Sequence, residues 1–227
     1  METLLLLHGA IGAADQLQPL ADNLSKLYDV HTLSFSGHGG NAFPEHTFSI
    51  ALFAQDVLGY MQQKDLKQVS IFGYSMGGYV AMYLAKHHPE KVNKIATLAS
   101  KFHWDEATAA KEVKMLDADK IEAKLPAFAQ TLQMRHAPND WKAVLQRTAD
   151  MLISLGAENK LKAEDYKEIA HTSLILLGDK DKMVTLEETV NVFRSLPNAT
   201  MGVMPNTQHP IEQVDVDMLA YFLTRFI

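Results

Sequence analysis

Ser75 stands in Gly73-Tyr74-Ser75-Met76-Gly77, a G-x-S-x-G run between an apolar segment and an amphipathic one. On a sharp strand-to-helix turn such a serine adopts a strained backbone, and its hydroxyl is exposed above the carboxyl edge of a sheet. The flanking glycines are required because side chains there would collide as strand and helix approach. Once an imidazole takes its proton, a hydroxyl so placed is a nucleophile, and the chemistry it serves is acyl transfer. The chain has 10 histidines and no cysteine. Thiol catalysis and cysteine-ligated zinc are therefore excluded. No histidine/carboxylate cluster shows metal-ligand spacing such as H-E-x-x-H. Gly37, Gly39 and Ala42 match a loose G-x-G-x-x-A. Phe43-Pro44 follows where a helix should already have opened, so a pyrophosphate would find no helix N-terminus.

The elements that position Ser75 follow from the hydrophobic pattern. Short apolar runs alternate with longer amphipathic stretches, which is the signature of βαβ units and a parallel sheet. The runs Thr3–Leu7, Val30–Phe35, Val69–Gly73, Val92–Ala99, Thr172–Gly178 and Ala199–Met204 are predicted strands. Predicted helices cover Ala13–Leu27 (with Leu17, Leu20, Leu24 and Leu27 on one face), Thr47–Gln63, Met76–His87, Leu186–Ser195 and Glu212–Phe226. From His103 to Lys160 only three helix-like stretches are visible. Ile121, Leu125, Phe128 and Leu132 make an apolar stripe that Pro126 should bend. Asn139 is positioned to cap a third helix that Gly156 closes. The expected fold is α/β: a doubly wound, mostly parallel sheet of about six strands. Its core spans residues 1–102 and 161–227, with a helical cap insertion over 103–160.

The charge balance is 21 Lys and Arg against 27 Asp and Glu, with no basic stripe. That argues against a nucleic-acid partner. Leu4 to Leu7 is too short to span a bilayer and lacks a basic flank, so no membrane or signal segment is read there. The expected location is cytoplasmic. The oligomeric state is not legible, and no cofactor is implied.

The chain resembles the α/β-hydrolase superfamily over nearly its whole length. Four features fall in that family's order: His8-Gly9-Ala10-Ile11-Gly12 after the first strand, Gly37-His38-Gly39 after the second, the serine turn, and later acid and histidine loops. The family usually has two strands ahead of the His-Gly motif; this chain begins at that motif's own strand. The resemblance implies backbone N–H groups of Met76 and Ala10 as oxyanion donors. It implies His209, on the loop after the last strand, as base. It selects Asp181, three residues after Gly178, as the acid, while Asp179 shapes the turn. The order Ser75, Asp181, His209 is the one this fold uses. His8 reads as a turn-stabilising histidine.

Those roles imply acyl-enzyme hydrolysis of a small-molecule acyl substrate. The 103–160 segment carries Trp104, Met115, Leu116, Phe128, Leu132, Met134 and Trp141, with 8 basic and 9 acidic residues. An apolar roof without charge bias favours a small to medium apolar ester. Ile11, Tyr74, His103, Trp104, Phe128 and Leu132 are the expected substrate contacts. Thioesters and carbon–carbon bonds are alternative substrates for the same triad, and a non-catalytic ligand-binding homologue is the alternative of another class.

Overall fold

In the computed structural model, which describes residues 1–227, the apolar runs form six parallel strands. They are β1 (Thr3–Leu7), β2 (Asp29–Leu33), β3 (Val69–Tyr74), β4 (Val92–Leu98), β5 (Ser173–Gly178) and β6 (Ala199–Met204). They lie in one open sheet of order β2-β1-β3-β4-β5-β6. Alternate side chains leave the sheet on opposite faces, so a strand covered on both sides must be apolar throughout. Accordingly Leu5, Leu7, Ile71, Ile95 and Ile175 join one core cluster, and Leu4, Leu6, Phe72, Ala96 and Leu174 the other.

Helices α1 (Gln18–Leu24), α2 (Ile50–Gln63) and α3 (Met76–His87) occupy the connections around the first three strands. Between β4 and β5 the chain forms α4 (Glu106–Val113), α5 (Ala118–Lys124), α6 (Pro126–His136), α7 (Trp141–Ala157) and α8 (Ala163–Glu168). It closes with α9 (Leu186–Ser195) and α10 (Val216–Phe226). α1 and α10 cover one face; α2, α3 and parts of α7 and α9 cover the other.

Several elements differ from the sequence reading. The first predicted helix is a short 3₁₀ turn, Ala14–Leu17, followed by α1, and Leu27 is exposed beyond its end. Pro126 does more than bend its helix. It sits at the first position of α6, where a missing N–H is harmless, and so divides the stretch in two. The expected stripe is broken accordingly: Ile121 and Leu132 are buried, while Leu125 and Phe128 are exposed. Asp140, not Asn139, caps α7 by accepting from the Lys142 N–H. The Asn139 side chain reaches back to the carbonyls of Gly37 and Asn41.

Candidate active site

In a parallel sheet all strands end at one edge, so the loops after β1, β3, β5 and β6 share that edge. The strand order reverses between β1 and β3, and the crevice at such a switch point is where open α/β sheets hold ligands. Leu7 pairs with Gly73, which brings the His8-Gly9-Ala10 loop alongside the serine turn. Ser75 has φ 51° and ψ −117°, a left-handed conformation. Its N–H donates to the Leu98 carbonyl at 2.9 Å, anchoring the turn to the next strand. A Cβ on Gly73 would come within 2.4 Å of the Gly77 backbone, and one on Gly77 within 2.3 Å of the Leu7 carbonyl oxygen. Only glycine allows the close approach of β3, α3 and β1.

Ser75 Oγ lies 3.3 Å from His209 Nε2, and His209 Nδ1 lies 2.8 Å from Asp181 Oδ2. A carboxylate only accepts, so the Nδ1–H donates to Asp181 and the Nε2 lone pair faces the serine. The other Asp181 oxygen accepts from the N–H groups of Met183 at 2.8 Å and Val184 at 2.9 Å. Burial alone would raise the Asp181 carboxyl. The hydrogen bond and charge of His209, with the two backbone N–H groups, outweigh it and hold the group below the usual carboxylate value. Asp179 accepts from the Thr207 N–H at 3.0 Å, so its side chain ties the loop that carries His209 to the end of β5. Tyr74 lies beneath that loop, and its hydroxyl donates to the His209 carbonyl at 2.9 Å.

The Ala10 N–H takes no backbone partner, and Met76 opens α3, where an N–H has no intrahelical acceptor. Both flank Ser75. A cavity of about 70 Å³ opens beside Ser75 and His209. Its apolar lining is Ala10, Ile50, Met76, Trp104, Leu152 and Leu155, with Tyr79, Met151, Met183 and Val184 completing it; Lys101 and Glu112 lie on its wall.

Of the expected substrate contacts, Trp104 lines this cavity. Ile11, Tyr74, His103, Phe128 and Leu132 do not line it. Leu132 is consumed by a small cluster with Ile121, Ala129, Trp141 and Leu145, against which Ile11 packs. Tyr74 is committed to the histidine loop, Phe128 is exposed once Pro126 divides the helix, and His103 pairs with Asp105 on the surface. Lys101, Glu112, Met151, Leu155, Met183 and Val184 were not anticipated as lining residues. Lys101 carried one legible signal, a charge placed directly past the carboxyl end of β4.

Behind the loops lies a second buried polar group. His8, His38 and His136 are all fully buried, with ring centroids 5.3 Å apart for His8–His38 and 5.7 Å for His38–His136. His8 receives the Phe35 N–H on Nε2 and bonds the Gly9 carbonyl through Nδ1. His136, the last residue of α6, receives the Gly39 N–H on Nδ1 at 3.2 Å and donates from Nε2 to the Ile11 carbonyl at 3.0 Å. Ile11 has φ 52°, an outlier for a β-branched residue, one position beyond Ala10. Burial lowers all three imidazoles and takes His38 to about 4. With both nitrogens of His8 and His136 committed, the trio is a structural tie. No group of three or more His, Cys, Asp or Glu side chains is arranged to hold a metal ion.

A family model described as the alpha/beta hydrolase fold matches residues 2–211. Among characterised proteins, a pimeloyl-[acyl-carrier protein] methyl ester esterase of Neisseria meningitidis is 27% identical over 224 residues, covering 90% of this chain and 84% of that protein. An (E)-2-((N-methylformamido)methylene)succinate hydrolase of Acinetobacter baylyi is 24% identical over 241 residues, covering 98% of this chain and 91% of that protein. Among solved structures, the enol-lactonase of Burkholderia xenovorans superposes with a TM-score of 0.78 at 18% identity, covering 99% of this chain and 90% of the other. At that identity the likeness shows the fold.

Proposed function

The chain belongs to the α/β-hydrolase fold family, and from that premise we propose that it is a serine hydrolase cleaving a carboxylic ester with a small, largely apolar acyl group. The observation that carries this reading is the continuous relay from Ser75 Oγ through His209 to Asp181, at 3.3 Å and 2.8 Å. In the proposed cycle Ser75 Oγ attacks the ester carbonyl as His209 Nε2 takes its proton. The tetrahedral oxyanion is met by the N–H groups of Ala10 and Met76. His209 then returns the proton to the departing alkoxide, leaving an acyl-serine. Water, deprotonated by His209, attacks the acyl-serine; the carboxylic acid leaves and the proton goes back to Ser75. Asp181 keeps the imidazole in the productive tautomer and stays ionised throughout.

The size of the acyl group follows from the cavity: about 70 Å³ holds roughly five to seven water-sized groups. The segment over 103–160, read as a cap, contributes Trp104, Met151, Leu152 and Leu155 to that cavity. No helix is long and apolar enough to cross a membrane; a cytoplasmic location is part of the reading we propose.

The test is hydrolysis of p-nitrophenyl esters of two to twelve acyl carbons by the native protein and by Ser75→Ala. Turnover should be greatest for short acyl chains and should fall in the variant by on the order of 10⁴-fold or more. Activity retained in Ser75→Ala removes the mechanism. A folded native protein that turns over no ester shifts the reading toward thioesters, carbon–carbon bonds or simple ligand binding.

A further inference from the structure

The Ser75 cavity adjoins a second cavity of about 580 Å³ along a wall that includes Lys101, Glu112 and Met183, which line both. That wall carries an ion group of one cation and two anions, with Glu112 buried and Lys101 and Glu188 half-buried. The Lys101 ammonium lies 2.7 Å from the Met183 carbonyl, 3.4 Å from Glu188 and 3.7 Å from Glu112. Its hydrogen bonds go to the Met183 carbonyl and Glu188, while Glu112 stands just beyond hydrogen-bond length.

The two carboxylates are not equivalent. Glu188 accepts from the N–H groups of Phe102 at 3.3 Å and Thr185 at 3.1 Å, besides the Thr185 hydroxyl at 3.3 Å. Glu112 is only 5% exposed, and its one polar partner is Lys101 at 3.7 Å, beyond hydrogen-bond length. An ionised carboxylate offers about four acceptor sites. The protein donates no hydrogen bond to it, so its oxygens keep that capacity open toward the two cavities whose shared wall it helps form. The buried Tyr166 hydroxyl also has no partner and lines the second cavity. Burial raises it far above its usual value, so it stays a neutral hydroxyl.

Resting on the serine-esterase reading, we infer that Glu112 is a specificity-determining residue that selects an acyl group ending in a hydrogen-bond donor. An amide, hydroxyl or ammonium terminus fits; a carboxylate terminus does not. A terminal amide or hydroxyl would give the Glu112 oxygens the protons that the protein withholds. A terminal carboxylate would meet a wall whose net charge is −1, one lysine against two glutamates. Lys101 offers it little relief, because its hydrogen bonds already go to the Met183 carbonyl and Glu188.

Three esters of matched shape test this: methyl succinamate, monomethyl succinate and methyl pentanoate. They are followed by proton release for the native protein and for Glu112→Gln. The native kcat/KM should favour the amide over the carboxylate by roughly 10- to 100-fold, the range for one hydrogen bond to a charged group. In Glu112→Gln the ratio should fall to within about 3-fold of unity. A native ratio near or below unity overturns the inference, as does a variant that keeps the native ratio. Should Glu112→Gln fail to melt cooperatively, Glu112→Asp serves instead. Its carboxylate is drawn back by one methylene, so the amide advantage should shrink, and an unchanged ratio overturns the assignment. Methyl pentanoate separates the two levels. If the native protein hydrolyses no ester, the serine-esterase reading falls. Calorimetric binding of the amide and carboxylate esters then decides the wall alone: tighter amide binding sustains it and equal binding overturns it.

Discussion

The carboxyl edge of the sheet and the helical segment between β4 and β5 are built on different principles. At the sheet edge, positions are set by short-range backbone geometry. Ser75 is one residue past β3 and held to Leu98; Ala99 donates to the Leu176 carbonyl at 3.0 Å; Asp181 bonds the two N–H groups of its own turn. In the helical segment, positions depend on a few contacts between residues far apart in the chain. α7 gives Val144, Met151, Leu152 and Leu155 to the main core, but α5 and α6 bury little beyond a five-residue cluster. His136, Asn139 and Arg147 then tie the segment to the loops after β1 and β2 through the carbonyls of Ile11, Gly37 and Pro44. Rigid backbone places reacting atoms to within tenths of an ångström. Side-chain ties between separate elements place a wall, and can be altered without unmaking the fold.

The sharpest break of this contrast is within the sheet edge itself. Asp181→Asn should lower kcat by about 10³- to 10⁴-fold, because an amide in its place disturbs the tautomer that faces Ser75. Asp179→Asn should cost far less, since Asp179 bonds the Thr207 N–H and not the imidazole. Steady-state kinetics of the two variants decides between them, and the reverse ranking would exchange their roles.

His136 tests the joint between the regions. His136→Ala removes the donor to Ile11 and the acceptor for Gly39, both buried. Ile11 adjoins Ala10, so kcat should fall about 10-fold or more with KM little changed; losing an oxyanion donor outright costs about 10²–10³. The melting temperature should fall too, by the loss of about 1–3 kcal/mol. A KM effect alone would mean that the tie shapes the pocket and not the oxyanion loop.

A further effect, on stability and not on rate, concerns pH. His38 titrates at about 4 in the folded protein and at roughly 6.5 when unfolded. Between those values the unfolded chain holds a proton that the folded chain does not. The stabilisation is therefore complete above about pH 6.5 and is lost as pH falls toward 4, by roughly 3 kcal/mol from this group. Facing it are His8, His136, Phe48 and Phe53, with Arg135 and Asp15 near His136 and no carboxylate in contact with the His38 ring. Urea midpoints at pH 7.5 and 4.5 measure the loss, and His38→Phe should reduce it without abolishing it, because His8 and His136 are lowered in the same direction. The same slope in the variant would assign the loss to other groups.

What the sequence by itself determined is whatever depends on local pattern. Runs such as Leu4 to Leu7 are apolar at every position because both faces of the strand are covered. The G-x-S-x-G turn announces itself because only glycine survives the close approach of three backbones. The order of the serine, aspartate and histidine loops follows once the strands are counted. The tertiary structure alone decided which side chains line the cavity. Leu132, Phe128 and Tyr74 have the right character for a pocket, but a helix divided at Pro126 and a hydroxyl drawn to the His209 carbonyl turn them to other uses. Lys101, Glu112 and Glu188 lie on three separate stretches of chain, and Glu112 takes its meaning from the donors it lacks. A missing hydrogen bond leaves no trace in sequence spacing, because it is a property of everything that surrounds the group in three dimensions.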